Sequence, residues 1–203
     1  DKIMRQQAAL EPEYAHPPCP VRPPEQVPEN IARMAHLGRR LTDQHLCGGN
    51  ALRPLHNGDE AYPAMLEAIA AARNHVFLAT YIFNAGKVGA AFTEALASAA
   101  ARGVDVRVLV DGIGTLYSWR KPWKKLAARG IRTALFLPPK LFPPNLSINL
   151  RNHRKVLVCD DIGFTGGMNI SDDNLQSLRK SCVQDVHFRC LGPIVNQLRR
   201  AFL

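Results

Sequence analysis

The sequence predicts an α/β fold in which a sheet is covered by helices on both faces. Short apolar, β-branched runs alternate with amphipathic helical patterns along the chain after position 58. A strand–helix–strand unit over residues 76–110 has the spacing of a right-handed crossover between parallel strands. With 203 residues, the chain has room for one domain, or for one domain and an arm.

The N-terminal residues predict an arm. Six prolines lie before position 26, a density that prevents regular helix or strand. Apolar residues at helical spacing over residues 28–45 then predict an amphipathic helix that ends before the Gly48-Gly49 pair. We therefore divide the chain into residues 1–48, a proline-rich arm with a short helix, and residues 49–203, the folded domain.

The elements of the domain follow in order. Asp59 is the expected N-cap of a helix that continues to Arg73. A second helix is expected over residues 88–102, with Gly103 as its left-handed stop. The strand candidates, which are short runs rich in apolar residues, are 76–82, 104–110, 131–137, 155–159 and 183–191.

The net charge of +9 belongs to one segment. From Gly112 to Cys159 there is no Asp or Glu, while the segment holds ten Lys or Arg residues. A local basic surface indicates an anionic partner, which means phosphates on a lipid surface, a nucleic acid or a small substrate. No apolar run approaches the roughly 18–20 residues that a membrane span needs.

Several site types are not supported. The five cysteines form no C-x-x-C pair, which favours buried thiols in a reducing compartment over a zinc site or a disulfide framework. The histidines lack metal-binding spacing, and the chain has neither a serine elbow nor a phosphate-binding lysine loop. Gly112-Ile-Gly114 follows a strand, but Tyr117 stands where a dinucleotide loop has its third glycine. No metal and no cofactor are expected.

One segment combines the groups that phosphoryl chemistry needs. His153 and Lys155 are two residues apart in a predicted strand, so their side chains share one face and those of Val156 and Val158 point elsewhere. The ammonium can neutralise phosphate charge while the imidazole attacks phosphorus and forms a phospho-enzyme intermediate.

Further donors follow this pair along the chain. The turn at Gly166 and Gly167 can bring backbone N–H groups to the same oxyanion, because glycine permits close approach. The side-chain amide of Asn169 adds another donor.

These residues reproduce the signature H-x-K-x4-D followed by G-[SG]-x-N, with Asp160 as its aspartate. The chain thereby resembles the phospholipase D superfamily, and most of all the bacterial cardiolipin synthases. The resemblance runs from about Gly49 to Phe202. The matching stretches include residues 49–50, 57–61, 80–83, 102–104, 110–114, 152–155, 166–170 and 192–193.

The resemblance implies a fold and a site. The fold is an α/β/α sandwich on a mixed, largely parallel sheet, with residues 49–203 as a catalytic half domain. His153 is then the nucleophile or the partnering general acid, and Lys155 and Asn169 hold the phosphoryl oxygens. Arg154 and the two glycines bind substrate. Asp160 supports the structure of the motif more than it touches substrate.

Asp185 lies where relatives place an acid that hydrogen-bonds the catalytic imidazole and fixes its tautomer. An exposed strand carboxylate is the alternative interpretation of this residue.

Two features depart from the family pattern. Five residues separate Asp160 from Gly166, where the family usually has six, and this change is expected to reset a tight hairpin and move Asn169. The family also uses two facing motifs, and this chain holds one. The resemblance therefore implies a second H-x-K-D half, from the rest of the chain or from a dimer partner.

The acid-free segment suggests a surface for anions or a membrane. Its aromatic rings beside cations suit the interface of an anionic bilayer, which we favour, and equally suit single-stranded nucleic acid. A solvated basic face over core aromatics is the third interpretation. The residues expected on this surface are Trp119, Arg120, Lys121, Trp123, Lys124 and Lys125.

The leading functional hypothesis is a phosphatidyltransferase that makes cardiolipin from a phosphatidylglycerol-like substrate. The alternatives are a phosphodiesterase of the same superfamily, acting on nucleic acid or another lipid, and a non-catalytic module that binds anions. The expected location is peripheral at the cytoplasmic face of the inner membrane, or cytoplasmic.

Overall fold

A seven-stranded mixed sheet forms the centre of the computed structural model. The structure describes residues 28–42, 48–117, 122–138, 140–141, 144–145, 151–178 and 181–203. The sheet strands are β1 (Ala51–His56), β2 (His75–Thr80), β3 (Asp105–Asp111), β4 (Arg132–Phe136), β7 (Val156–Cys159), β8 (Ile162–Gly166) and β9 (Val186–Leu191). Their order across the sheet is β1-β9-β8-β7-β2-β3-β4. Two short strands, β5 (Lys140–Leu141) and β6 (Pro144–Asn145), pair with each other.

The helices in the described part of the chain are α1 (Glu29–Thr42), α2 (Asn57–Ala71), α3 (Lys87–Ala101), α4 (Pro122–Ala128) and α5 (Ile194–Phe202). Single 3₁₀ turns cover Gly114–Tyr117 and Asp172–Asn174. The proline-rich arm expected before residue 28 lies outside the described residues, and the helix expected over residues 28–45 is observed as α1.

The α/β class and the mixed sheet are confirmed, but the expectation of a largely parallel sheet is wrong. Only β2–β3 and β3–β4 are parallel pairs, whereas the other four pairings are antiparallel. The parallel pairs are connected through α3 and α4. Strands β7 and β8 form a hairpin, and a two-residue loop can join antiparallel strands only.

Helices cover both faces of the sheet, as expected. On one face Ile69 of α2, Phe92 and Leu96 of α3 and Leu126 of α4 lie in one buried cluster with side chains of the central strands. On the other face Val195 of α5 packs with a smaller group that includes Val156 and Val158. Lys155 therefore faces away from α5, because side chains alternate along the strand.

Most predicted elements are found within a few residues of their expected ends, and Gly103 has the expected positive φ of 88° after α3. Asp59, however, is not an N-cap. The N-cap of helix α2 is His56, three residues earlier, and the Asp59 carboxylate accepts the backbone N–H groups of Gln176 and Ser177. Strand β1 was not predicted, because it is an edge strand in which five of six side chains are exposed and Pro54 interrupts the pattern.

Candidate active site

His153 and Lys155 lie at the N-terminal end of β7 with their side chains in contact. The Nζ atom of Lys155 is 3.1 Å from Nδ1 of His153 and 2.9 Å from its carbonyl oxygen. The imidazole is exposed, whereas the lysine is only 6% exposed. The regular strand begins at Val156, one residue later than predicted, but the two groups project together as the spacing of two residues indicates.

The positive charge of Lys155 is not balanced by an acidic side chain in the described part of the chain. Among the described residues, no carboxylate lies within ion-pairing distance of its Nζ atom. Burial lowers the pKa of Lys155, and the charge of Asp185 acts in the opposite direction. A phosphate oxygen would supply the negative partner that the protein does not place against this cation.

The ring of Tyr81 contacts both members of the pair, and sequence reasoning did not single it out. Its centroid is 4.8 Å from that of the His153 imidazole and 5.5 Å from the Nζ atom of Lys155, which is cation–π geometry. Tyr81 directly follows strand β2. An aromatic residue at the end of a buried strand was the available signal, within the matching stretch 80–83.

Asn169 is held with its amide oxygen already used. Its Oδ1 atom accepts the backbone N–H of Ile82, the neighbour of Tyr81, at 3.1 Å. The hydroxyl of Tyr62 donates to the carbonyl oxygen of Asn169 at 2.7 Å. This arrangement fixes the backbone and leaves the NH₂ group of the side chain as the donor for a ligand.

The five residues between Asp160 and Gly166 belong to a tight hairpin. Cys159 pairs with Ile162 and Val156 with Thr165, so only Asp160 and Asp161 form the turn. Asp160 takes a positive φ of 48°, which Asp tolerates better than most residues.

Asp160 lies at the far end of β7 from His153 and does not touch the pair. Its carboxylate accepts the backbone N–H groups of Arg73, Asn74 and His75 at 2.8 to 3.1 Å. Burial acts to raise the pKa of Asp160, but these three hydrogen bonds outweigh it and the pKa is lowered. The residue therefore connects the hairpin to the segment before β2.

At positions 166 and 167 the neighbouring groups leave no room for a side chain, which explains why both residues are glycine. A Cβ atom at position 167 would collide with the Asp185 carboxylate, and one at position 166 would lie 2.7 Å from Cα of His187. The N–H of Gly167 donates to the carbonyl oxygen of Val186. The N–H of Gly167 is therefore already paired within the protein, and the contribution of the turn to an oxyanion site stays a prediction.

His187 is buried beside this turn. Its side chain is 1% exposed, and neither ring nitrogen has a hydrogen-bond partner among the described residues. Burial lowers the pKa of His187 to about 4, so the imidazole is neutral at physiological pH.

Asp185 lies in the site but does not bind His153. Its Oδ1 atom accepts the N–H of Val186 at 2.7 Å, and the described residues show no hydrogen bond between its carboxylate and the imidazole. Asn57 holds its backbone through two hydrogen bonds, accepting its N–H and donating to its carbonyl oxygen. The residue is half-buried and its charge acts on Lys155, so neither the expected bond to His153 nor an exposed strand carboxylate is observed.

Arg154 does not point to the pair either. Its guanidinium donates to the carbonyl oxygen of Ala201 at 2.6 Å, at the C-terminal end of α5. Carbonyl groups at a helix C-terminus lack partners within the helix, and a cation satisfies them there. This contact holds α5, and substrate binding by Arg154 stays a prediction.

The expected anion surface is only partly described. Lys124 and Lys125 are exposed on α4, while Trp119, Arg120 and Lys121 lie outside the described residues. Trp123 is 8% exposed and belongs to the core, because the apolar side of α4 faces α3 and the sheet. Its placement on a surface was wrong.

Asp111 holds the backbone next to His153, and the sequence analysis did not identify it as a site residue. It is fully buried at the end of β3, and its Oδ2 atom accepts the N–H of Asn152, the residue before His153, at 2.8 Å. Its Oδ1 atom accepts the N–H groups of Ile113 and Gly114. A carboxylate that ends a strand of apolar residues was the signal in the sequence.

The described residues contain no group of three His, Cys, Asp or Glu side chains placed to hold a metal ion. None of the helices in the described ranges combines the length and apolar character that crossing a bilayer needs.

A mixed sheet between helices, with an H-x-K pair at one end of a central strand, defines a phospholipase D-like domain. A sequence model of the family described as "Cardiolipin synthase, PLD-like domain" matches residues 65–202, and the chain belongs to this family. The fold is similar to that of the phospholipase D family member Nuc from Salmonella typhimurium. The TM-score is 0.58 at 19% identity, covering 75% of this chain and 91% of that one.

Two curated relatives show the same subgroup. The chain is 33% identical over 156 residues to the major cardiolipin synthase ClsA of Bacillus subtilis, covering 76% of this chain and 32% of the relative. It is 36% identical over 152 residues to cardiolipin synthase B of Escherichia coli, covering 74% of this chain and 37% of the relative. The chain thus spans about a third of the length of these relatives.

Proposed function

We propose that this domain provides one half of the active site of a phosphatidyltransferase that makes cardiolipin from phosphatidylglycerol. The observation that carries the proposal is the contact between the exposed His153 imidazole and the ammonium of Lys155, which has no carboxylate partner among the described residues. The names of the relatives support the choice of lipid. The proposed location is peripheral, at the cytoplasmic face of the inner membrane.

The first step forms a phosphatidyl-histidine. A ring nitrogen of His153 attacks the phosphorus of one phosphatidylglycerol, a P–N bond forms, and the P–O bond to the head-group glycerol breaks. The leaving oxygen takes a proton from a general acid, which we assign to the histidine of a second H-x-K-D half. That half comes from elsewhere in the chain or from a partner copy.

The second step releases cardiolipin. A head-group hydroxyl of another phosphatidylglycerol attacks the same phosphorus, the P–N bond breaks, and the hydroxyl proton passes to the second histidine. Lys155 stabilises the negative charge that develops on the phosphoryl oxygens, and the NH₂ group of Asn169 donates to one of them. The contact of Lys155 with Tyr81 and that of Asn169 with Ile82 support these roles, because they restrict both side chains in the protein without substrate.

The direct test is incubation of the complete enzyme with phosphatidylglycerol vesicles. We expect two molecules of phosphatidylglycerol to give one cardiolipin and one glycerol, measured by mass spectrometry of the lipids and an enzymatic glycerol assay. Phosphatidic acid and glycerol as the only products would replace the transferase with a hydrolase. No turnover of any phospholipid would reject the proposal.

A second candidate function is a phosphodiesterase that acts on single-stranded nucleic acid. The acid-free basic segment favours it, since such a segment attracts any polyphosphate backbone. Cleavage of single-stranded DNA by the complete enzyme, abolished in His153→Ala, would promote this function. Binding without cleavage would favour the anion-binding module.

Asp111→Asn is expected to lower kcat for lipid transfer about 10²-fold while KM changes little. An amide nitrogen cannot accept the N–H of Asn152, so the backbone that carries His153 shifts, and a displacement of about 1 Å is enough for such a loss. Steady-state kinetics of the complete enzyme measure the split, and thermal unfolding shows whether the domain remains folded.

The matched control is Asp105→Asn. It makes the same change at the opposite end of β3, where the carboxylate pairs with Arg107 and Arg132 and not with the site. Equal kcat values for the two variants in folded protein would contradict the positioning role of Asp111.

A further inference from the structure

Helix α1 presents an apolar stripe that nothing in the described part of the chain covers. Ile31, Met34, Leu37 and Leu41 are 44 to 76% exposed, although they recur at helical spacing. An isolated helix of 14 residues is marginal in water, because most helical stability in proteins comes from packing of the apolar face. The stripe therefore requires a partner outside the described residues.

The polar side of α1 is basic, and its charges border the stripe. The helix carries Arg33, Arg39 and Arg40 against a single acid, Glu29. At 3.6 residues per turn, Arg33 lies about 40° beyond one edge of the stripe, and Arg39 lies about 80° beyond the other edge. Glu29 pairs with Arg33, which leaves the two arginines of the last turn without an acidic residue on the helix to balance them.

We propose that α1 lies in the surface of an anionic phospholipid bilayer, with its apolar stripe inserted below the head groups. Arginines at the edges of such a stripe keep their guanidinium groups among the phosphates while their stems stay in the apolar layer. Charge complementarity selects this occupant, because anionic lipid head groups balance a basic helix border. The choice of lipid rests on the proposed function, in which the substrate itself is an anionic phospholipid.

The element proposed here differs from the surface expected from the sequence. The acid-free segment lies in residues 112–159, whereas α1 precedes β1. A second contact with the bilayer would restrict the orientation of the domain at the membrane surface.

The test is co-sedimentation of the 203-residue chain with vesicles, in 0.1 M salt. One set contains phosphatidylglycerol and phosphatidylcholine, and the other contains phosphatidylcholine alone. We expect binding to the anionic vesicles, and at least a tenfold weaker partition coefficient for the double variant Met34→Gln/Leu41→Gln. The variant Arg39→Gln/Arg40→Gln is expected to lose most of the preference for anionic vesicles.

Ala32→Gln is the matched control, since it places the same side chain on the polar side of the helix and is expected to bind like the original chain. Glutamine favours helix, and α1 adds nothing to the two core clusters, so the thermal midpoint is expected to be unchanged in all variants. Absence of binding to anionic vesicles, or equal binding of Met34→Gln/Leu41→Gln and Ala32→Gln, would overturn the inference.

This experiment measures binding without turnover. A chain that binds vesicles through α1 but comes from an enzyme that transfers no phosphatidyl group would reject the proposed function and leave the inference on α1 standing. If the enzyme makes cardiolipin in detergent micelles but the chain does not bind vesicles, the proposed function stands and the inference on α1 is rejected.

Discussion

Replacing His153 by asparagine in the complete enzyme is expected to reduce cardiolipin formation by about 10⁴-fold or more, because the proposed reaction then lacks its nucleophile. The imidazole is exposed and His153 belongs to neither of the two buried clusters, so the domain is expected to fold normally. Phosphatidylglycerol carrying ³²P measures both turnover and the covalent intermediate. Label that stays on the protein after denaturation is expected in the original enzyme and absent in the variant.

The matched control is His36→Asn, which makes the same change on the exposed part of α1. It is assayed in detergent micelles so that vesicle binding does not enter the comparison. Label retained by the His153 variant at the level of the control would show that another residue is the nucleophile, and the assignment of His153 would then be wrong.

Asp160→Asn is expected to lower the free energy of unfolding of the chain by about 1–3 kcal/mol at pH 7, through loss of hydrogen bonds to a charged carboxylate. The amide nitrogen cannot accept the N–H of Arg73, which Oδ2 of Asp160 accepts at 2.8 Å. Asparagine also tolerates the positive φ of this turn, so backbone strain does not enter the comparison. Urea unfolding followed by circular dichroism measures the difference.

The difference depends on pH with a defined sign. The pKa of Asp160 is lowered in the folded chain relative to about 3.9 in the unfolded chain. Its stabilising contribution is therefore complete above pH 5 and is lost as the pH falls through the folded pKa. The unfolding curves of the original chain and Asp160→Asn are expected to converge as the pH falls below the pKa that Asp160 has in the folded chain.

Asp161→Asn provides the control in the same turn, because Asp161 is exposed and its carboxylate accepts none of these three N–H groups. It is expected to change stability by less than about 0.5 kcal/mol. A loss in Asp161→Asn at pH 7 as large as that in Asp160→Asn would contradict the role given to Asp160. So would a loss in Asp160→Asn that does not decrease as the pH is lowered below the unfolded pKa of about 3.9.

Part of the fold could be predicted because hydrophobic periodicity reports burial. Strand β2 is buried along its whole length, and its apolar run identified it in the sequence. Strand β1 could not be found in this way, since Leu55 is its one buried residue. The direction of β7, β8 and β9 depends on short connections, and the apolar pattern of a strand carries no information about direction.

The candidate site also has a part that the sequence predicted and a part that it did not. His153 and Lys155 were found because two residues of separation place side chains on one face of an extended segment, whatever the rest of the chain does. Tyr81, Asp111 and Asn57 reach the site from β2, β3 and α2, each more than forty residues away along the chain. No pattern within a short stretch of sequence indicates that residues so far apart lie together.

Local spacing thus settles the α/β class and the side-by-side placement of an imidazole and an ammonium, since both depend on backbone geometry over a few residues. Which polar groups already have partners is settled by contacts between distant segments. Gly167 donates its N–H to Val186, Arg154 holds the end of α5, and Trp123 enters the core. Those contacts form only when the strands have taken their register and the helices cover the sheet. A donor group that is paired within the protein in this way is no longer available to substrate.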